Sequence, residues 1–165
     1  MTVMPFARRP FPAHLDGPER LVAIGFRCWM AGYQTGDIAC WEHAWNIYAS
    51  ELGPAPARAA LTDLSCWVRK IHATSGRPIE TYPAACRGFC RDECVAVAMV
   101  AASQHHVCPA LRACTFALLG GTHIDEVVSE TDALAATLAT LDQCLSPRTI
   151  ALATDCVPAP SNARH

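Results

Sequence analysis

The feature that most limits the possible folds of this chain is a set of three cysteines at four-residue intervals, Cys86, Cys90 and Cys94. Residues four apart lie next to each other on the surface of an α-helix. The spacing therefore predicts a helix that begins near Pro83, ends near His105 and carries the three thiols on one face. Small apolar residues continue that face, so we expect the helix to pack closely against a neighbour.

A second group of side chains with metal-binding chemistry follows this helix. Pro109 suits the first turn of a helix, because its missing N–H would have no partner there. Cys108 is therefore expected to cap the next helix, where the positive end of the helix dipole favours a thiolate. Cys114 lies on the inward face of the same helix, and His105 ends the helix before it.

Composition places the chain among globular proteins. It has 165 residues, of which 52% are hydrophobic and 17% charged, and these values suit a single domain with a core. The net charge is −2 and no basic stripe is present, so we expect no nucleic-acid partner. No signal peptide and no apolar run of membrane-spanning length are evident. We therefore expect a cytoplasmic protein, in which the ten cysteines do not form a disulfide framework.

The hydrophobic pattern favours helices throughout and shows no useful strand alternation. The predicted fold is all-α, a compact bundle of five or six short, mostly antiparallel helices, because short connections place consecutive helices antiparallel. We predict a flexible arm at 1–15, a single helical domain at 16–146 and a loose tail at 147–165. The expected helices cover 18–33, 37–52, 56–74, 83–105, 109–119 and 122–145.

The cysteine spacing leads to a first functional hypothesis, a thiolate site for a soft metal. Thiolates select Cu(I), zinc and iron–sulfur clusters. One helix face cannot surround an ion, so side chains from the following helix would have to complete the site. No C-x2-C knuckle is present, which disfavours an ordinary zinc finger. The candidate ligands are Cys86, Cys90, Cys94, Cys108, Cys114 and His105.

A second hypothesis treats the cysteines as small buried hydrophobic residues of a non-catalytic adaptor or interaction domain. Such a domain would bind a protein partner or a second copy of itself. Redox sensing or haem ligation by Cys108 and the neighbouring histidines is a further alternative. No nucleophile–base motif and no glycine-rich phosphate loop are present, so the sequence leans against an enzyme. The sequence assigns no role to Cys28, Cys40, Cys66, Cys144 and Cys156.

The two hypotheses differ in geometry. A metal site requires the sulfur atoms of its ligands to converge within about 4 Å, since thiolate–metal bonds are near 2.3 Å. Packing requires only that each thiol has apolar neighbours.

Overall fold

The computed structural model describes residues 14–154. The predicted all-α fold is confirmed for this part of the chain, which contains seven helices. Residues 1–13 of the expected arm, and the end of the expected tail with Cys156, lie outside the described residues. The helices are α1 (Gly17–Thr35), α2 (Ile38–Leu52), α3 (Pro54–Thr74), α4 (Arg91–Gln104), α5 (Cys108–Leu119), α6 (Asp125–Thr140) and α7 (Arg148–Thr154).

Glycine and proline set most of the helix ends where the sequence predicts them. Gly36 ends α1 with φ of 75°, and Gly120 ends α5 with φ of 68°. Both conformations are left-handed, which glycine adopts without steric cost. Gly53 separates α2 from α3, and Pro54 opens α3 two residues before the predicted start.

Helix α4 is the most deeply buried element. Every residue from Asp92 to Ala102 is buried, and α4 packs against α1, α5, α6 and α7. Helix α3 packs on both α1 and α6, and α2 packs on α1 and α3. Trp67 of α3 is fully buried and donates its indole N–H to Thr131 of α6 at 3.0 Å. From Cys94 to Ala102 the helix carries only apolar side chains, which suits such a central position.

Two expectations about the C-terminal third need correction. Helix α6 ends at Thr140 rather than near Leu145, because hydrogen bonds from Gln104 of α4 hold the residues after Thr140 in a non-helical conformation. Its side-chain amide donates to the carbonyl oxygen of Gln143 and accepts from the backbone N–H of Leu145. The expected loose tail also contains α7, which packs against α4. None of the seven helices described is long and apolar enough to cross a membrane.

Candidate functional site

The predicted helix from Pro83 is wrong in its first part, because α4 begins only at Arg91. Residues 75–90 run between α3 and α4 without a helix. Cys86 and Cys90 therefore precede the helix, and only Cys94 lies within it. The four-residue spacing does not produce a continuous thiol face.

A capping box fixes the start of α4. The backbone N–H of Glu93 donates to the Cys90 sulfur, and the Glu93 carboxylate accepts from the Cys90 backbone N–H at 3.0 Å. Cysteine thus takes the position that serine or threonine normally occupies in this motif. The Cys90 Sγ also lies 3.2 Å from the carbonyl oxygen of Glu80, to which its S–H donates. These contacts give Cys90 a structural role.

Burial keeps three of the thiols protonated. Desolvation raises the pKa of Cys90 to about 12 and that of Cys28 to about 11. It also raises the pKa of Cys114, which is 1% exposed in α5. Nucleophilic and metal-binding chemistry both need the thiolate, so these environments suit packing better than reaction.

The remaining predicted ligands occupy separate settings. Cys94 is buried in the first turn of α4, and Cys86 is half-buried in the segment before it. Cys108 is exposed at the start of α5, where Val107 rather than Cys108 is the cap residue. His105 caps the C-terminus of α4, and its Nε2 hydrogen-bonds the Leu145 carbonyl at 2.6 Å.

The described part of the chain brings no group of three or more His, Cys, Asp or Glu side chains into a metal-binding arrangement. The metal site therefore stays a prediction, and the geometry of residues 14–154 adds no support to it. The helix error explains part of this outcome, because the predicted ligand face depended on one uninterrupted helix from Pro83.

Two acidic residues at the start of α4 hold the 75–90 segment in place. Glu93 binds the guanidinium of Arg27 in α1, with Nε–Oε2 at 2.5 Å and Nη2–Oε1 at 3.1 Å. Arg27 also donates to the carbonyl oxygens of Cys86 and Gly88, at 2.7 and 2.6 Å. Arg27 is 3% exposed and Glu93 is 0% exposed, so this is a buried ion pair.

The neighbouring carboxylate makes a second ion pair, which is partly buried: the Asp92 side chain is buried and that of Arg77 is about one-third exposed. Asp92 accepts two hydrogen bonds from Arg77, at 2.9 and 3.0 Å, and one from the backbone N–H of Glu80. Sequence reasoning missed both pairs. The available signal was the position of Arg27, a single charge within the apolar stretch from Leu21 to Met30.

A groove of about 520 Å³ lies where the end of α4 meets α5 and α6. Its apolar surface comes from alanines of α4 and α6 together with Leu111 and Val128. The polar groups come from Ser103, Gln104, His106, Cys108, Arg112 and Asp132. Of the predicted site residues, the groove therefore includes Cys108, beside His106 rather than His105. We call it the α5–α6 groove.

Polar contacts shape the rim of the α5–α6 groove. Ser103 donates to Asp132 at 2.5 Å, which joins α4 to α6 across the groove. Arg112 pairs with Asp125 at 3.1 Å. His106 has a φ of 57°, a left-handed conformation that non-glycine residues rarely adopt. The groove thus has a defined rim of hydrogen-bond donors and acceptors around an apolar floor.

Replacement of Cys90 separates capping from metal binding. We expect Cys90→Ala to lower the free energy of unfolding by about 1 kcal/mol, because it removes the helix cap. Cys90→Ser retains a capping oxygen and should stay within about 0.5 kcal/mol of the parent protein. Urea unfolding measures both. Metal ligation would instead predict that serine and alanine are equally damaging and that both release an ion.

Cys114 provides the matched control. It is buried in the core without a capping role, so alanine should be tolerated there at least as well as serine, whose hydroxyl would lie among apolar groups. The order of serine and alanine should thus be opposite at positions 90 and 114. The same order at both positions would contradict the capping role.

The raised thiol pKa values predict a loss of stability in alkali. Unfolded cysteines ionise near 9.0, whereas folded Cys28 and Cys90 keep their protons up to about 11 and 12. Between these limits the unfolded state binds fewer protons, so stability falls as pH rises. Each thiol contributes at most about 1.4 kcal/mol per pH unit. Between pH 8 and pH 11 the free energy of unfolding should fall less steeply for Cys90→Ser than for the parent protein. Equal slopes would contradict a raised pKa of Cys90.

No protein-family model, no curated protein and no solved structure matches this chain.

Proposed function

We propose that this protein is a non-catalytic helical interaction domain, a compact bundle whose buried cysteines stabilise the fold. The observation that carries the proposal is the distribution of the thiols. Cys90 caps a helix, Cys94 and Cys114 lie in the core, and desolvation keeps the pKa of Cys90 and Cys114 high. This distribution suits structural thiols better than a shared ligand set.

The α5–α6 groove is the surface that we assign to the partner, a polypeptide segment with small apolar side chains. Alanines in its floor allow such a segment to approach closely. The rim offers both donors and acceptors, in Arg112 and Asp132, which suits the alternating polar groups of a peptide backbone. Phe116 follows Arg112 by one turn of α5 and is 51% exposed, which extends the apolar surface beyond the rim.

Metal content tests this proposal against the soft-metal hypothesis. The measurement is elemental analysis with an absorption spectrum on protein purified without oxygen or chelator, together with a thiol count before and after denaturation. The proposal expects no metal and expects thiols that become reactive only on unfolding. Near-stoichiometric copper, zinc or iron with several protected thiols would overturn it.

Photo-crosslinking in the native cell tests the groove itself. A benzoylphenylalanine at position 108 should give a discrete crosslinked species, and the same group at the exposed position 144 should not. Ala136→Arg fills the groove and should abolish the species. Ala133→Arg, on an exposed part of α6 outside the groove, should leave it unchanged. Crosslinking that does not depend on position 108 or on Ala136 would contradict the groove as the binding surface.

A further inference from the structure

A second cavity, of about 440 Å³, lies between α1, α2 and the part of the 75–90 segment from 84 to 89. Its volume is in the range of small-molecule sites. This cavity is separate from the α5–α6 groove, and no residue lines both. We call it the arginine cavity, because three arginines line it: Arg20, Arg27 and Arg87.

The charges that line the arginine cavity are mostly positive. Three guanidinium groups line the cavity against a single carboxylate, Asp16, and the side chains of His14 and His43 also line it. Asp16 pairs with His14 at 3.1 Å. The protein as a whole has a net charge of −2, so this concentration of positive side chains is local.

Some of this charge is balanced from outside the cavity. Glu51 pairs with Arg20 at 3.4 Å, and Glu93 pairs with Arg27. Neither carboxylate lines the cavity, whereas both arginines do. The Arg20–Glu51 pair is half exposed, and such a pair is weak enough to exchange partners.

The hydrogen bonds of Arg27 leave one of its N–H groups without an acceptor. A guanidinium has five N–H groups. The four hydrogen bonds to Glu93, Cys86 and Gly88 use one N–H of Nε, one of Nη1 and two of Nη2, which leaves one on Nη1. Because these bonds and the Phe89 ring, 4.5 Å away, fix the side chain, little entropy is lost when it binds a ligand.

Large apolar side chains form another part of the lining. They are Leu15, Ile24, Ile47 and Phe89. We propose that the arginine cavity binds a small soluble organic anion, in which a phosphate or carboxylate group contacts the arginines and a short apolar body contacts these side chains. Charge-assisted hydrogen bonds from guanidinium groups to such oxyanions are strong and directional. This inference does not depend on the partner proposed for the α5–α6 groove.

Calorimetric titration with hexyl phosphate tests the proposal. The control ligands are 1-hexanol, which has only the apolar body, and inorganic phosphate, which has only the charged group. Hexyl phosphate should bind at least about tenfold more tightly than either half, since it makes both kinds of contact. If 1-hexanol binds as tightly, or if hexyl phosphate does not bind, the proposal is wrong.

Paired substitutions locate the site. Arg20→Gln with Arg87→Gln removes two exposed charges from the cavity and should weaken hexyl phosphate by about tenfold or more. Arg58→Gln with Arg69→Gln removes two exposed charges of α3 outside it and should leave the affinity unchanged. If both double variants lost the same affinity for hexyl phosphate, the binding would reflect general attraction to positive charge, and the proposal would be wrong. Sedimentation of the protein with vesicles that contain phosphatidic acid would assign the site to a membrane headgroup, which also overturns a soluble ligand.

Discussion

Replacement of Glu93 by glutamine is expected to lower the free energy of unfolding by about 3 to 5 kcal/mol, the largest single effect that we predict. Glu93 is fully buried and accepts from Arg27 and from the backbone N–H groups of Tyr82 and Cys90. Glutamine leaves the Arg27 charge buried without a counter-charge. It also places an amide N–H₂ against a guanidinium that can only donate. Urea unfolding of the two proteins measures the difference.

A double variant identifies the source of this loss. Arg27→Met with Glu93→Met removes both buried charges, so its cost should be less than the sum of the two single replacements by a few kcal/mol. It should not fall to zero, because the carbonyl oxygens of Cys86 and Gly88 lose the donor that Arg27 provides. Additive single effects would contradict the buried pair.

The exposed pair between Arg112 and Asp125 serves as the control. Its two side chains are 54% and 85% exposed, and a pair of this kind contributes less than about 1 kcal/mol. Asp125→Asn should therefore change stability little. A loss as large as that of Glu93→Gln would mean that burial does not explain the difference between the two pairs.

The sequence predicts most of the helices because local signals end them. Gly36, Gly53 and Gly120 interrupt periodic apolar runs, and their effect depends on only a few neighbouring residues. Prediction fails at the start of α4, where the deciding contacts are distant in sequence. Arg27 reaches the carbonyl oxygens of Cys86 and Gly88 across about sixty residues of chain. The pattern of residues from 83 to 94 contains no sign of this contact with Arg27.

In the candidate site, too, the sequence predicts what depends on neighbouring residues and misses what depends on distant contacts. The sequence correctly indicates that Cys114 points inward, because the helical period of α5 determines its face. It does not indicate that Cys90 caps α4, since cysteine is not a customary capping residue. The pattern Cys90-x-x-Glu93 is nevertheless a capping box with sulfur in place of oxygen, and a search that allowed cysteine would have found it. The α5–α6 groove depends on how α4, α5 and α6 pack, which the sequence alone does not specify.

Gly25→Ala should destabilise the protein by about 2 kcal/mol, although alanine favours a helix by about 1 kcal/mol over glycine. Gly25 lies in the middle of α1, where an added Cβ would overlap the Tyr48 hydroxyl and lie 2.5 Å from Cδ1 of Leu64. Tyr48 is fully buried and donates its hydroxyl to the Leu21 carbonyl at 2.7 Å. Overpacking costs about 1 to 3 kcal/mol, and displacement of a buried hydrogen bond adds about 1 to 3 kcal/mol. These two costs outweigh the gain in helix propensity.

A double-mutant cycle with Tyr48→Phe tests this explanation by urea unfolding. In the parent protein Tyr48→Phe removes a useful hydrogen bond, whereas in the Gly25→Ala variant it also removes the atom that clashes with the new methyl group. The loss from Tyr48→Phe should therefore be smaller in the Gly25→Ala background by about 1 kcal/mol or more. Gly121→Ala is the control, because an added Cβ there meets nothing within 4 Å and should change stability by less than about 0.5 kcal/mol. If the two effects at positions 25 and 48 simply add, close contact between α1 and α2 is not the reason for glycine at position 25.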